Sequence, residues 1–335
     1  MINIALIGVG GWGKNLARNF ASCKDAQLYA CCDLNDENLE SVKSDYGWIK
    51  TEHSAERLLE DKDIDAFAIA TNADTHFEIA KLALERSKDV FVEKPLTLKP
   101  KEAAELVALS DKRSKILMVG HLLLYHPAVE KLKKLLETEE LGDVYYLYST
   151  RVNLGKIRKD ENALWSFGPH DISVALHLLQ KLPTEVSAWG MSFLQSGIED
   201  VVFIKLKFNN KQMAHIHLSW LDPNKVRRLT IVGSKKMAVF DDMEPSEKIK
   251  VYDKGAGLPG RILSYDENLT MWEGDIYIPR IEMKEPLKIE CQHFIECIKK
   301  RKRPLSDGRS AVDVVKVLDA AQKSLDSNGM AFRVE

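Results

Sequence analysis

The feature that most constrains the fold is a glycine-rich segment, "GVGGWG" at residues 8–13, which follows directly on the apolar run "INIALI". Gly8, Gly10 and Gly13 have the G-x-G-x-x-G spacing, and the helical pattern "KNLARNF" comes next. A strand, a glycine turn and a helix in this order are typical of dinucleotide-binding units, because backbone N–H groups and the helix N-terminus then lie close to a pyrophosphate. We therefore predict a dinucleotide site here.

An acidic residue follows at the distance such a site requires. Asp33 directly follows the next apolar run, Gln27–Cys32, about 20 residues past Gly13. A carboxylate at this place accepts hydrogen bonds from both ribose hydroxyls of adenosine and repels a 2′-phosphate. The neighbours "LND" at 34–36 contain no arginine that would pair with such a phosphate. The sequence therefore favours NAD over NADP.

Short apolar runs alternate with helical patterns over residues 1–120, which we predict to form the NAD-binding domain. The runs are Ile2–Ile7, Gln27–Cys32, Ala66–Ala70, Val90–Val92 and Ile116–Val119. Helical periodicity at 75–88 and 100–113 separates the later ones. This alternation predicts an α/β fold with a Rossmann, doubly wound parallel sheet, whose strands are apolar throughout because helices cover both faces.

The pattern changes over residues 121–335, which we predict to form an α+β domain for substrate binding and oligomerisation. Helical stretches at Pro127–Glu137 and Trp165–Gln180 precede several short alternating segments separated by turn residues. Such segments predict a large, open, mostly antiparallel sheet. Two more helical stretches, Leu287–Lys300 and Arg309–Leu325, follow it.

Polar residues lie at the predicted carboxyl ends of the parallel strands, where open α/β sheets bind ligands. Thr71, Asn72 and His76 follow the third run, and we expect them to contact the cofactor. His76 has the alternative of a helix N-terminal residue bonded to the backbone. The fourth run delivers "EKP", in which Lys94 can donate to a substrate oxygen and stabilise alkoxide charge. Pro95 restricts the conformation of Lys94.

Composition excludes several classes of partner. Lys and Arg total 48 against 50 Asp and Glu, so the chain has no basic excess for binding nucleic acid. The N-terminal apolar run is too short to span a bilayer and lacks the features of a signal peptide, so no membrane partner is expected. Five cysteines without a CxxC pair predict reduced thiols in a cytoplasmic protein.

Taken together, these motifs resemble the Gfo/Idh/MocA oxidoreductases. The resemblance rests on the glycine turn, the "EKP" strand end, "GHLLLYHP" at 120–127, a later G-x-H and the closing pattern from "HFIECIKK" to "AAQKS". It implies an NAD-dependent dehydrogenase acting on CH–OH groups, with Lys94 beside the substrate, a Lys94–Pro95 bond that is often cis, and a homodimer or homotetramer packed sheet to sheet. It completes the predicted cofactor set, which is Gly8, Gly10, Gly11, Trp12, Gly13, Asp33, Thr71, Asn72, His76, Glu93, Lys94 and His121.

In the family the second domain supplies a catalytic histidine, which the resemblance places at His170 in "WSFGPHDIS". A histidine suits general-base catalysis because its pKa lies near working pH. The family pattern D-x-G-x-H-x-x-D is broken here, since Ser166 and Ser173 replace its aspartates and Asp171 follows the histidine. We expect Asp171 on the first turn of a helix, where a carboxylate is favoured. Whether Asp171 or Ser166 replaces the missing aspartate stays open.

The segment 151–173 is similar to that of enzymes acting on UDP-linked amino sugars, notably UDP-N-acetylglucosamine 3-dehydrogenases. Four cations precede the histidine, and a diphosphate would bind such a cluster, although a solvated loop explains it as well. These cations are Arg151, Lys156, Arg158 and Lys159. The predicted substrate set is Lys94, Arg151, Lys156, Arg158, Trp165, His170 and Asp171; for Trp165, core packing is the alternative to stacking on the substrate.

We therefore predict oxidation of a UDP-sugar hydroxyl, at C3 of UDP-N-acetylglucosamine, with Lys94 and His170 catalytic. A dehydrogenase of a free sugar, an inositol or another small polyol is the alternative, and a non-catalytic NAD-binding regulator is the third reading. His215 and His217 share one strand face but have no third ligand nearby in the sequence, so we predict no metal site.

Overall fold

The computed structural model describes residues 1–257 and 270–335. The chain divides into two compact units, Met1–His126 with Lys284–Asp319, and Pro127–Met283 with Ala320–Glu335. The first unit thus ends at His126 rather than at residue 120, and it takes in a late segment that the sequence pattern assigns to the second domain.

The first unit is built on a parallel sheet of six strands in the order β3-β2-β1-β4-β5-β6. The strands are β1 (Ile2–Ile7), β2 (Ala26–Cys32), β3 (Lys50–Glu52), β4 (Ala66–Ile69), β5 (Asp89–Glu93) and β6 (Leu117–Gly120). The order reverses at β1, which creates the crevice where doubly wound sheets bind ligands. The predicted parallel sheet is confirmed, with β3 as a strand too short and polar for the sequence pattern to show.

The helices of the described residues agree with the predicted periodic stretches, with α2 and α3 in addition. They are α1 (Gly13–Ala21), α2 (Asp36–Asp45), α3 (Ala55–Leu59), α4 (His76–Glu85), α5 (Pro100–Arg113), α6 (Pro127–Glu137), α7 (Ala163–Leu179), α8 (Pro286–Lys300) and α9 (Gly308–Asp326). None of them is long and apolar enough to cross a bilayer.

Aromatic packing explains why α8 belongs to the first unit. Phe294 of α8 contacts Phe20 of α1 and Phe91 of β5 edge-on, with ring centroids 6.2 and 5.8 Å away. All three side chains are fully buried. Since burying a phenylalanine contributes about 1.5–3 kcal/mol, this cluster fixes α8 against the helix that follows the glycine turn.

The second unit contains a sheet of nine strands in the order β14-β13-β12-β11-β7-β10-β9-β8-β15. The strands are β7 (Val144–Val152), β8 (Glu185–Met191), β9 (Val201–Lys207), β10 (Met213–Ser219), β11 (Val226–Gly233), β12 (Met237–Asp241), β13 (Ile249–Gly257), β14 (Thr270–Tyr277) and β15 (Phe332–Arg333). β7 and β10 pair in parallel and the other neighbours pair antiparallel, which confirms the mostly antiparallel sheet.

The two faces of this sheet differ. On β7, Leu147 and Ser149 are buried, whereas Tyr146 and Tyr148 are 39% and 40% exposed. Helix α7 packs on β7, β9 and β10. Because side chains alternate between faces, Leu147, Ser149 and Arg151 of β7 point toward the covered side of the sheet.

Candidate active site

The glycine turn uses its glycines for two different purposes. Gly8 has φ +87°, and a Cβ there would lie 2.7 Å from the carbonyl carbon of Ala70. A Cβ on Gly13 would lie 2.0 Å from the carbonyl oxygen of Gly8. By contrast, the nearest atom to a Cβ on Gly10 is 3.9 Å away, and Gly11 has none within 4 Å. The protein itself requires the first and third glycines, while Gly10 and Gly11 border open space that a pyrophosphate can approach.

Asp33 lies at the end of β2 and is fixed by two backbone donors. The N–H of Val9 donates to its Oδ2 atom at 2.8 Å, and the N–H of Asn35 donates to Oδ1 at 2.9 Å. Each carboxylate oxygen keeps further acceptor capacity, because an ionised carboxylate has about four lone-pair sites. The residue is therefore held against the glycine turn as an acceptor for ribose hydroxyls, which fits NAD.

Trp12 links the glycine turn to the end of β5. Its Nε1–H donates to Oε1 of Glu93 at 2.6 Å, and the backbone N–H of Lys94 donates to Oε2 at 3.2 Å. Glu93 is only 7% exposed, and burial raises its pKa against the opposing effects of these bonds and the Lys94 charge. Gly120 leaves room for this carboxylate, since a Cβ there would lie 2.9 Å from Oε2.

Lys94 and His121 follow two neighbouring strand ends. The Lys94–Pro95 peptide bond is cis, as the resemblance implies. His121 is 1% exposed, and burial, followed by repulsion from the Lys94 ammonium, lowers its pKa to about 4. The imidazole is thus neutral near pH 7. Glu93, Lys94 and His121 lie at adjacent strand ends, and their contact with a cofactor stays a prediction.

His76, the first residue of α4, bridges two strand ends. Its Nδ1 lies 2.8 Å from the carbonyl oxygen of Pro95, and its Nε2 lies 3.1 Å from that of Thr71. The ring is 1% exposed, and burial lowers its pKa. Both ring nitrogens therefore lie against backbone carbonyl oxygens, as in the alternative of a backbone-bonded residue, and the two carbonyls belong to different segments. Contact between His76 and a cofactor stays a prediction.

A buried acid that sequence reasoning missed lies behind this cluster. Glu290 of α8 is fully buried, and neither of its carboxyl oxygens has a hydrogen-bond partner among the described residues. Burial, followed by repulsion from Glu93, raises its pKa well above the usual value. A buried carboxylate without a partner is costly, so burial favours the neutral, protonated form of Glu290.

In the second unit, α7 carries His170. Asn162 caps the helix, because its Oδ1 accepts the backbone N–H of Trp165 at 3.2 Å. Pro169 lies inside the helix and has no N–H, so the turn before His170 lacks one backbone bond. The Ser173 hydroxyl donates to the His170 carbonyl oxygen at 2.9 Å. His170 itself is partly exposed, and its Nδ1 atom is buried.

Asp171 does not lie where the sequence placed it. The helix begins at Ala163, so Asp171 lies beyond the first turn and its charge is not stabilised by the helix N-terminus. Its Oδ2 atom instead forms an ion pair with Nε of Arg151, which projects from the covered face of β7. The two side chains are only 8% and 11% exposed. Ser166, one turn before His170, is buried as well.

The other predicted substrate residues border the irregular segment 153–162. Lys156 and Lys159 are exposed, and Nε of Arg158 lies 3.5 Å from Oε1 of Glu161. The indole N–H of Trp165 donates to Gln322 Oε1 at 3.1 Å. Three cations therefore precede α7 on the surface, while Arg151, the fourth, lies in the buried ion pair. Whether any of these residues binds a substrate stays a prediction.

The two histidines of β10 lie on the sheet face, as expected. The ring of Phe203 stacks on His217 with centroids 4.3 Å apart and on His215 at 6.1 Å. Across residues 1–257 and 270–335, no three or more His, Cys, Asp or Glu side chains form a group that could hold a metal. The five cysteines are all free and buried, which confirms the predicted thiols.

Two family models match different parts of the chain. Residues 2–121 match the model "Oxidoreductase family, NAD-binding Rossmann fold", and residues 129–239 match "GFO/IDH/MocA C-terminal domain". Together the two matches cover more than half of the chain.

Individual relatives are similar over most of their length. The UDP-N-acetylglucosamine 3-dehydrogenase of Acidithiobacillus ferrooxidans is 28% identical over 83% of this chain and 85% of its own. The scyllo-inositol 2-dehydrogenase (NAD(+)) of Bacillus subtilis is 26% identical over 100% of this chain and 96% of its own. A solved structure of the A. ferrooxidans enzyme GnnA has a TM-score of 0.81 at 24% identity, covering 98% of both chains.

Proposed function

Because the chain belongs to the GFO/IDH/MocA family of NAD-dependent oxidoreductases, we propose that it oxidises a nucleotide-sugar hydroxyl, at C3 of UDP-N-acetylglucosamine, to a ketone. The observation that carries this choice of substrate is the surface segment 153–162, where Lys156, Arg158 and Lys159 precede the helix of His170. Similarity to a UDP-N-acetylglucosamine 3-dehydrogenase over 83% of the chain supports it.

Each residue in this proposal performs one task. When bound, NAD would supply the acceptor for the hydride that leaves the sugar carbon. The Lys94 ammonium donates to the reacting oxygen and stabilises its developing negative charge. The His170 imidazole takes the hydroxyl proton, for which a histidine is suited near neutral pH. The cations of 153–162 pair with the diphosphate and so orient the sugar.

A second candidate is oxidation of an inositol or a free polyol. The relative that favours it is the Bacillus subtilis scyllo-inositol 2-dehydrogenase, which matches over the whole of this chain. Such a substrate has no diphosphate, so neutralising the cations of 153–162 would leave its turnover intact. A non-catalytic regulator is disfavoured because both Lys94 and His170 are retained.

The test is NADH absorbance with purified protein, NAD and UDP-N-acetylglucosamine. A sugar aminotransferase with glutamate should be present to consume the keto product. We expect NADH formation that is lost in Lys94→Ala and in His170→Ala, and a KM for the UDP-sugar that rises at least about tenfold when Lys156, Arg158 and Lys159 are changed to alanine.

Lys134→Ala supplies the matched control, because Lys134 is an exposed, ion-paired lysine on α6 of the same unit. This variant should leave the KM unchanged. Turnover of an inositol but not of the UDP-sugar would instead select the second candidate. Absence of turnover with both classes would reject both substrate proposals.

We also propose that the exposed face of the nine-stranded sheet joins copies of this chain. Tyr148 of β7, Trp189 of β8 and Phe203 of β9 are 40%, 61% and 36% exposed on one sheet, which is a large apolar surface for an isolated chain. Light scattering should give a dimer or tetramer, and Tyr148→Glu with Phe203→Glu should yield monomers.

We further propose that the protein is cytoplasmic. Its buried, free cysteines support a reducing compartment.

A further inference from the structure

A buried ion pair lies beside the proposed general base. Arg151 and Asp171 are 11% and 8% exposed. The pair joins β7 to α7, and Asp171 is the residue that follows His170 in the helix. Neither side chain is needed for the sheet ladder or for the helix backbone. A buried ion pair is weak evidence for stability, because its two charges lose hydration, so its place beside the histidine calls for another explanation.

The helix is locally weak where the pair is attached. Pro169 removes one backbone bond from the turn before His170, and Gly168 adds a residue of poor helix propensity. Asn162 holds the N-terminus of the helix, and the apolar residues Ile172 and Ala175 are buried. Between them, the Arg151–Asp171 pair ties the residue after His170 to the sheet.

We propose that Arg151 and Asp171 are positioning residues, which act as one unit to fix His170 at the angle at which it takes the substrate proton. This inference rests on the proposed role of His170 as the base, and it differs from the sequence-based expectation that Arg151 binds the diphosphate. A guanidinium already paired with a buried carboxylate is neutralised, which leaves Lys156, Arg158 and Lys159 for that task.

The first test compares steady-state kinetics of Arg151→Gln, Asp171→Asn and the double variant with wild type. If the pair positions His170, each single change lowers kcat at least about tenfold while KM changes less than about twofold, because small displacements of a catalytic group are costly. The double variant should lose no more than the worse single one, since the two residues act together. In Arg151→Ala, added guanidinium ion should restore part of kcat.

Asp241→Asn is the matched control. Asp241 pairs with Arg228 at 2.7 Å, is 13% exposed, and lies on β12 of the same unit. It should keep the wild-type kcat. A raised KM in Arg151→Gln alone, with kcat unchanged, would assign Arg151 to the substrate and overturn the proposal. Unchanged kcat in both single variants would overturn it as well.

A second measurement needs no substrate, so it separates this inference from the proposed function. Hydrogen–deuterium exchange should accelerate in the peptide that covers residues 163–175 in Asp171→Asn, and should stay unchanged in α6. Unchanged exchange in 163–175 would show that the pair does not hold this turn, whatever the enzyme oxidises. Loss of turnover in His170→Ala is a separate test, which asks whether His170 is the base.

Discussion

The indole N–H of Trp12, in the glycine turn, donates to the Glu93 carboxylate at the end of β5 at 2.6 Å. This bond joins the segment that borders the pyrophosphate space to the segment that carries Lys94. Because Glu93 is buried, the bond satisfies an acceptor that water does not reach. We therefore expect cofactor binding and the position of Lys94 to be coupled through the Trp12 side chain.

Trp12→Phe should reveal this coupling. We expect the free energy of unfolding to fall by about 1–3 kcal/mol, since removing the donor leaves a buried acceptor unsatisfied. The KM for NAD should rise as well. Urea unfolding and steady-state kinetics measure the two effects. Trp48→Phe, an exposed tryptophan of the same unit, serves as control and should change neither quantity.

Gly10→Ala and Gly13→Ala should affect different properties of the protein, the first its affinity for NAD and the second its stability. A Cβ at Gly13 would overlap the carbonyl oxygen of Gly8 at 2.0 Å, so Gly13→Ala should lower the melting temperature sharply. Gly10→Ala meets no protein atom closer than 3.9 Å, so its melting temperature should stay near wild type while its affinity for NAD falls. Thermal unfolding with and without NAD distinguishes them. Normal NAD affinity in folded Gly10→Ala would place the pyrophosphate elsewhere.

His121 should destabilise the fold in acid. Its pKa is about 4 in the folded protein against an ordinary value of 6.5, so the unfolded chain binds more protons between these values. The contribution of His121 to the free energy of unfolding is complete above pH 6.5. It falls by on the order of 3 kcal/mol as pH drops toward 4. His121→Gln should flatten this acid loss in unfolding curves taken across pH. His53→Gln, at an exposed site, should leave the loss as it is in wild type.

Glu290 should have the opposite pH dependence. Its pKa is raised in the folded protein, so the native state keeps a proton that the unfolded chain releases above about pH 4.5. The stability contributed by this difference is therefore lost as pH rises toward the folded pKa. Glu290→Gln, which mimics the neutral acid, should gain stability over wild type as pH increases. Glu296→Gln on the same helix is the control, and parallel curves for Glu290→Gln and wild type would contradict the prediction.

Local patterns sufficed for much of the fold. The five longer strands of the first sheet, helices α5 and α6, and the antiparallel segments β8–β12 follow from periodicity and turn residues, because each depends on neighbours close in sequence. The glycine turn and Asp33 follow equally, since a G-x-G-x-x-G motif needs only its flanking strand and helix. β3, with three largely polar residues, and the return of α8 to the first unit leave no such local pattern.

Only the tertiary structure decided the contacts between residues that are distant in the sequence. Asp171 and Arg151 lie 20 positions apart, and nothing in their spacing shows that they pair beneath the sheet rather than meet a phosphate. Trp12 and Glu93 are 81 apart, and Glu290 comes close to Glu93 only because Phe294 anchors α8 on α1 and β5. By itself the sequence determined the sheet, the cofactor turn and which side chains can do chemistry. Packing decided which of those side chains are neutral, which are paired and which stay exposed, because burial sets the free energy of a charge.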